Sequence, residues 1–204
     1  MTGRGIVWVT GIALLLSGCS IGRPVRQATT YIVDPPVVAA AQSLPLRAET
    51  LRVGFVRVAA AYASSALVYR LDDVRYATDP YHAFVADPAA MLDSRMAEWL
   101  DRTGPFSHVV PPGSGQSAPY VLEVTVGDLY GDFRPGRPPA AVVSAQFVLI
   151  DQTSVRPKVT YERTIPARVE LPNASPDALV RGYGSALAEI LSQLAADLGA
   201  QGAH

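Results

Sequence analysis

The sequence predicts an α+β domain in which an antiparallel or mixed sheet carries two main helices packed on one face, preceded by a signal peptide and a tether. Two segments have the apolar periodicity of helices, whereas the segments around them are short runs rich in β-branched and aromatic residues. Strands in runs with only two long helices favour this class over a doubly wound parallel sheet. With 49% hydrophobic and 17% charged residues among 204, the chain has the composition of a compact globular protein.

Each of the two predicted helices begins at a capping residue that is followed by proline. Asp87 is the expected N-cap of the first helix, which ends at Gly104. Ser175 is the expected N-cap of the second, which meets Gly199 at its end. The glycines at positions 182 and 184, inside the second pattern, predict close packing of this helix on the sheet, because glycine otherwise destabilises a helix interior. The apolar positions at helical spacing are Leu92, Met96, Trp99 and Leu100, then Leu179, Tyr183, Leu187, Ile190, Leu191, Leu194 and Leu198.

The strands are predicted from runs of β-forming residues between turn residues. Residues 51–58 predict a strand with one strongly buried face. Residues 67–71 and 74–77 predict a hairpin around the turn pair Asp72-Asp73. Four further runs, separated by loops rich in proline and glycine, predict a meander with long loops. They are residues 106–110, 120–126, 142–150 and 158–167.

The first residues have the organisation of a bacterial lipoprotein signal peptide. Arg4 supplies the positive charge, and residues 6–16 supply an apolar run that is too short to span a bilayer. The following Leu16-Ser17-Gly18-Cys19 resembles the lipobox, in which a diacylglyceryl group alkylates the cysteine thiol before the peptide is cut. We therefore expect residues 1–18 to be removed and Cys19 to carry the lipid that holds the protein at the membrane.

The segment after Cys19 predicts where the folded domain begins. Residues 19–46 are rich in proline and small side chains, as in a semi-rigid tether, and residues 47–204 form the domain. By resemblance to enterobacterial lipoproteins, Ser20 in place of Asp favours the outer membrane, with the domain on the periplasmic face. Ser20 also lies in a G-x-S-x-G pattern typical of serine hydrolases, but the surrounding sequence does not predict the strand, turn and helix that such a site requires.

Composition and spacing give no support for catalysis or for a cofactor. The formal net charge of −1 provides no electrostatic basis for binding nucleic acid. The single cysteine excludes an intrachain disulfide and the usual multi-cysteine zinc sites. His82 and His108 have no partner at metal-ligand spacing, and no serine has a convincing catalytic base. We therefore expect no catalytic, cofactor or metal site.

One loop has the residue types that dominate protein interfaces. Phe133, Arg134 and Arg137 lie at an expected hairpin tip, and aromatic and arginine side chains are the commonest interface hot spots. The sequence therefore predicts a partner-docking loop at this tip. The alternative is an ordinary solvated loop whose shape is set by proline and glycine.

Several features in this order resemble the ABC-type transport auxiliary lipoprotein family. The resemblance covers most of the mature chain and depends on order and spacing. It implies a lipoprotein without enzymatic activity that works with an ABC transporter and a lipid-binding MCE-type protein to move phospholipid or another hydrophobic molecule between membranes. A ring-forming homo-oligomer is also compatible with this resemblance. The features are the lipobox, Tyr31-Ile32-Val33, the strand at residues 51–58, Leu67-Val68-Tyr69-Arg70, Val74-Arg75-Tyr76, Tyr81-His82-Ala83-Phe84 and the helix that leads to Thr103-Gly104-Pro105-Phe106.

Two functions from different classes follow from these observations. The first is an accessory subunit of an envelope lipid transporter, which docks its partners and shields lipid. The second is a structural or assembly lipoprotein of the envelope that binds only protein. Acyl-chain crosslinks in vivo favour the first function, and protein-only crosslinks favour the second. A periplasmic hydrolase, the third class, has no coherent set of catalytic residues in this sequence.

Overall fold

The computed structural model describes residues 27–37 and 47–201 of the chain, so the predicted signal peptide, the lipobox and Cys19 lie outside the described residues. The predicted α+β class with a mixed sheet is confirmed. The strands are β1 (Thr29–Tyr31), β2 (Arg47–Val53), β3 (Arg57–Val58), β4 (Ala66–Arg70), β5 (Tyr76–Phe84), β6 (Phe106–Val110), β7 (Tyr120–Asp132), β8 (Ala140–Asp151) and β9 (Lys158–Glu170). The helices are α1 (Pro88–Thr103) and α2 (Pro176–Gln201).

The sheet is assembled on the 13-residue strand β7. β8 pairs antiparallel with one edge of β7 from Tyr120, opposite Asp151, to Asp132, opposite Ala140. Three short strands share the other edge, and all of them run parallel to β7. β2 lies beside the first residues of β7, β3 beside the middle, and β4 at the end, where Arg70 pairs with Asp132. One strand thus positions four neighbours.

The remaining strands extend the sheet outward from this centre. β9 pairs antiparallel with β8, so three of the four strands predicted as a meander form one, whereas the first of them, β6, pairs with β2 instead. β6 lies parallel to β2, and β1 lies parallel to β5 at an edge of the sheet. The parallel pairs arise between segments far apart in sequence, which the local strand patterns do not specify.

The predicted hairpin around Asp72 is confirmed, with β4 and β5 antiparallel and Arg70 opposite Tyr76. Asp72 closes the turn by accepting the backbone N–H groups of Val74 and Arg75 at 2.9 and 2.6 Å. These bonds and the Arg75 side chain lower the pKa of the Asp72 carboxyl to about 2, with the Val74 N–H contributing most. The turn therefore keeps its charged carboxylate through the physiological pH range.

The strand predicted at residues 51–58 is divided into β2 and β3. Gly54 donates its N–H to the Leu122 carbonyl at 2.8 Å, and a Cβ at this position would lie 3.3 Å from that oxygen. Phe55 is then 69% exposed, and Val56 donates its N–H to the Asp93 carboxylate of α1 at 2.6 Å. The break lets one segment occupy two positions along β7 and contact a helix between them.

Both helices begin at the predicted caps. Asp87 accepts the Ala89 N–H at 2.8 Å, and the Ser175 hydroxyl accepts the Ala178 N–H at 3.2 Å. α1 ends before Gly104 as predicted. α2 continues two residues beyond the end predicted at Gly199, because a glycine within a helix costs only about 1 kcal/mol.

The helices form one layer against the sheet and contact each other. α2 packs across β8 and β9, and α1 packs on β6. Gly182 of α2 faces β8 so closely that a Cβ there would lie 2.8 Å from the Ala141 Cβ, which confirms the packing predicted for this glycine. Phe84 is 4% exposed beside the Tyr183 ring, so the hydrophobic core lies between the helical layer and the sheet.

Residues 31–37 lie across the helical layer, and we call this segment the strap. Val33 is 1% exposed, and its N–H points at the Met91 sulfur at 3.4 Å. The indole N–H of Trp99, which like Met91 belongs to α1, donates to the Pro36 carbonyl at 3.3 Å. On the α2 side, a Cβ at Gly184 would lie 2.7 Å from the Asp34 carbonyl oxygen. The second glycine of α2, Gly184, therefore makes room for the strap and not, as predicted, for the sheet.

The strap belongs to the range 19–46 that the sequence predicts to be a tether. Its buried valine and its contacts with both helices place residues 31–37 in the packed domain. The division of the chain at residue 46 stays a prediction, because residues 38–46 lie outside the described part.

We predict that Gly184→Ala displaces the strap and leaves the helix intact. The added methyl group overlaps the Asp34 carbonyl, whereas alanine favours the helix itself by about 1 kcal/mol. Limited proteolysis should cut the variant within residues 31–37 faster than the wild type, with unchanged helical circular dichroism. Ser185→Ala, at the next position of the same helix, is the control and should protect the strap normally. Equal protection in both variants would contradict this account.

Candidate functional site

The loop predicted to dock partners lies at one end of the sheet, beside a buried aspartate. Asp132, the last residue of β7, is 1% exposed. Its carboxylate accepts the Arg134 Nε at 2.8 Å and the Arg168 Nη1 at 2.6 Å. Arg134 also donates to the Asp73 carboxylate in the β4–β5 turn at 2.9 Å. Asp132 thereby joins β7, β9 and the β7–β8 loop, and Arg134 connects them to the hairpin.

The two arginines determine the charge state of Asp132. Hydrogen bonds from Arg134 lower the pKa of this carboxyl most strongly, burial opposes the shift, and Arg168 lowers the pKa further. The net pKa lies well below the usual range of an aspartate. A buried carboxylate with charged donors on both oxygens is stable only while those donors remain. The arrangement is thus a structural clamp at the end of the sheet.

Phe133 and Arg134 contact the domain itself. The Phe133 ring stacks on Tyr69 with centroids 5.0 Å apart and planes 20° apart. Its N–H donates to the Arg70 carbonyl at 2.9 Å, and the Arg134 side chain is 14% exposed. Arg137 is exposed, next to a glycine with a φ of +77° that forms the bend of the loop. Of the three predicted docking residues, Arg137 presents its side chain to solvent most freely.

A second polar cluster lies in β5 and is centred on Asp79. One carboxylate oxygen accepts the Tyr69 hydroxyl at 2.6 Å and the His82 Nδ1 at 2.8 Å. The other oxygen accepts the backbone N–H groups of Tyr81 and His82 at 2.8 and 3.0 Å. These four bonds fix an irregular segment of β5, where its register against β4 shifts. His82 thus has a hydrogen-bonded ring and helps to fix this bend.

The charge of Asp79 follows from the same bonds. Burial raises the pKa of the Asp79 carboxyl, but the hydrogen bonds from Tyr69, from the backbone and from His82 together hold the pKa below its usual value. His108, the other internal histidine, lies 3.2 Å from Asp101. Among the described residues, no group of three or more His, Cys, Asp or Glu side chains could hold a metal ion. The polar groups of both clusters serve to hold strands together.

The local sequence does not indicate that Asp132 and Asp79 are the centres of these clusters. The predicted strand ends at residue 126, whereas β7 continues to Asp132. The alternation of Leu129 and Gly131 could have extended the strand. The burial of its last residue depends on Arg168, which is 36 positions away. For Asp79, the spacing to His82 is a local signal for a hydrogen-bonded bend.

No helix in the described part of the chain is long and apolar enough to cross a membrane. The family model of the ABC-type transport auxiliary lipoprotein component matches residues 31–195, from the start of the strap to within α2. This chain belongs to that family. The ABC-type transport auxiliary lipoprotein family is also the family that the sequence features resemble in their order and spacing. The comparison with curated proteins finds no match.

Solved structures share the fold of this family member. Protein XCC0632 from Xanthomonas campestris has a TM-score of 0.67 at 17% identity, with 86% of this chain and 95% of that protein covered. The hypothetical protein CT253 from Chlamydia trachomatis has a TM-score of 0.55 at 9% identity, with 76% and 98% covered. At these identities the similarity concerns the fold.

We predict that Asp132→Asn destabilises this auxiliary lipoprotein by about 3 kcal/mol, because it leaves Arg134 and Arg168 without their shared carboxylate. The pKa of Asp132 is lower in the folded chain than in the unfolded one. Its contribution is therefore complete above about pH 4 and is lost as the pH falls towards the folded pKa. Urea unfolding at pH 7 and at pH 3 measures both effects. Asp73→Asn is the control and should cost less than about 1 kcal/mol, because Asp73 is 87% exposed. Similar losses in both variants would refute the clamp.

We predict that Tyr183→Phe leaves the domain equally stable or stabilises it by about 1 kcal/mol. Among the described residues, the buried Tyr183 hydroxyl has no hydrogen-bond partner, so its removal ends the cost of burying an unpaired polar group. Tyr69→Phe is the matched comparison. It should cost about 2 kcal/mol, because it removes the hydroxyl that donates to the charged Asp79. Thermal unfolding of both variants tests the difference, and a larger loss for Tyr183→Phe would be the contrary result.

Proposed function

We propose that this chain is a non-enzymatic lipoprotein subunit of an ABC- and MCE-type system that moves lipid between membranes. The observation that carries the proposal is the family match across residues 31–195, since the family is the auxiliary lipoprotein component of ABC-type transport. In this proposal the protein docks an MCE-type lipid-binding protein and the ABC transporter. Its contribution is to position these partners.

The anchor is the second part of the proposal. Residues 1–18 are the cleaved signal peptide, and the Cys19 thiol carries the lipid. Two or more acyl chains hold a protein at a membrane stably, whereas one chain binds only marginally. With Ser20 after the cysteine, the outer membrane is the proposed location, and the domain faces the periplasm.

The polar interactions of the described residues support docking over chemistry. The acceptor positions of Asp79 and Asp132 are occupied by donors of the same chain. A nucleophile or general base needs a free position directed at a substrate. These carboxylates are instead used to hold strands and turns in place, which produces a rigid surface.

The helical layer offers open grooves to a partner or to lipid. One groove runs along α2 and is lined by the small side chains Ser185, Ala188, Ser192 and Ala196 together with Glu189 and Gln193. A smaller one, of about 280 Å³, lies between α1 and β6 at Ala97. Small side chains of this kind let a partner backbone approach closely, and they support contact along a surface rather than enclosure of a whole lipid.

Arg137 is the residue of the docking loop on which we base the test. Phe133 and Arg134 hold the loop to the hairpin, so their removal would disturb the fold as well as an interface. Arg137 is exposed at the tip of the β7–β8 loop, and Arg156 is exposed in the β8–β9 turn at the opposite end of the sheet. The two arginines form a matched pair in one meander.

We predict that Arg137→Glu reduces copurification of the MCE-type and ABC components at least tenfold, because it reverses the charge of an exposed arginine at the interface. Arg156→Glu should retain these partners. Affinity purification from solubilised envelopes, quantified by mass spectrometry, is the measurement. Absence of transporter components from the wild-type sample would refute the proposed function. Their equal retention in both variants would refute only the docking loop.

The alternative function is that of an envelope lipoprotein that binds only protein. Photo-crosslinking in the same cells distinguishes it from lipid transport. Acyl-chain adducts on the domain support lipid transport. Adducts with protein alone, from probes placed along the α2 groove as well as in the loops, support the alternative.

A further inference from the structure

The start of the described chain indicates which end of the domain is nearest the anchor. β1 runs parallel to β5, with Thr30 opposite Ala83, and Ala83 in turn lies opposite Ala66 of the antiparallel strand β4. β1 is therefore antiparallel to β4. Followed from Thr30 back towards Cys19, β1 has the same direction as β4 followed from Ala66 to Arg70. We call this the hairpin end, and it contains the β4–β5 turn and the β7–β8 loop.

The chain between the anchor and the domain is short, so this direction determines which end of the sheet lies nearer the membrane. Cys19 precedes Gln27 by eight residues, which extend over at most about 29 Å. From the level of Thr30, Arg70 lies four residues away, or about 13 Å. The far end of the sheet, at Tyr120, lies about 27 Å away in the other direction, given 12 residue steps along β7. Counted from Thr29, where β1 begins, the ten residues back to Cys19 extend over at most about 36 Å. A lipid on Cys19 thus reaches the hairpin end directly and the far end only by reversing direction and using most of that length.

The hairpin end exposes apolar side chains at the turn. Val74 is 85% exposed, Tyr76 is 45% exposed and Leu71 is 37% exposed. These three residues, which we call the hairpin tip, lie within six positions of one another. An exposed tyrosine beside aliphatic side chains suits a membrane interface, where one side of a residue meets hydrocarbon and the other meets water.

The charges beside the tip fit a phospholipid surface. Arg75 is exposed at this end, and the sequence that leads back to Cys19 contains Arg23 and Arg26. Three acidic groups at the same end are bonded to arginines, Asp72 to Arg75, and Asp73 and Asp132 to Arg134. Glu170, which is level with Asp132 across β8, is exposed. Arginines near a membrane surface interact favourably with anionic headgroups.

We propose that the hairpin tip is a second membrane contact, in which Leu71 and Val74 enter the interfacial layer of the bilayer that holds the Cys19 lipid. This inference rests on the lipidation of Cys19 in the proposed function and is independent of the transporter. A lipid surface is the occupant favoured over a protein because the anchor brings this end to the membrane. The tip then orients the domain, whereas a lipid chain alone leaves it free to rotate.

The test uses the lipidated full protein with one added cysteine. Cys19 is the single cysteine of the chain and its thiol is consumed by the lipid, so Val74→Cys can be labelled selectively with an environment-sensitive fluorophore. Val155→Cys is the matched control, because Val155 is fully exposed in the β8–β9 turn at the far end of the sheet. Both proteins are reconstituted in vesicles of phosphatidylethanolamine and phosphatidylglycerol, with and without nitroxide-labelled lipid.

We expect the label at position 74 to shift to shorter wavelength and to be quenched at least threefold more than the label at position 155. Equal quenching, or an aqueous spectrum at position 74, would overturn the proposal. Protection of position 74 only after addition of the copurified transporter components would also overturn it, in favour of a protein interface. Mass spectrometry of the N-terminal peptide distinguishes the failures: an unmodified Cys19 refutes the anchor and the tip together, whereas a lipidated protein with a water-exposed tip refutes the tip alone.

Discussion

Backbone pairing on both edges of β7 is the constraint on which the rest of the molecule depends. One edge holds β8 along its whole length, and the other holds β2, β3 and β4 in succession. Because every one of these pairs must keep its register, a shift of one residue in β7 would turn the apolar side chains of the strand out of the core. The clamp at Asp132 lies where β4 and β8 both meet the end of this strand, so it fixes the register at that end.

Patterns among neighbouring residues predicted the helices and strands well. The same patterns did not predict which distant strands pair with each other. Asp87 and Ser175 start the two helices, and Asp72 forms the hairpin turn, because a cap or a turn is decided within a few residues. The parallel pairs of β7 depend on which segments meet after the chain has folded. The division of the strand at Gly54 likewise depends on Leu122 and Asp93, which are distant in sequence.

The candidate docking loop illustrates a limit of composition as a guide. Arginine and phenylalanine are enriched at interfaces, and they are equally able to close a domain on itself. Phe133 finds the Tyr69 ring and Arg134 finds a buried carboxylate, so the residue types predicted a contact but not whether the contact is with another molecule. Only Arg137 has the exposure that an intermolecular role requires. Its role in docking was predicted from its residue type, whereas its exposure results from the geometry of the loop.

The strap and β1 also determine how the domain bears mechanical load. A pull on the chain before Thr29, directed towards the hairpin end, acts along β1 and parallel to the strands. Hydrogen bonds between parallel strands lie across that direction. Those between β1 and β5 therefore share the force in shear and must break together. The side chain of Val33 must also leave its buried position. A force perpendicular to the sheet edge would open the same bonds one at a time. The orientation of β1 therefore makes this short edge strand resistant to a pull towards the hairpin end and weak against a pull away from the sheet.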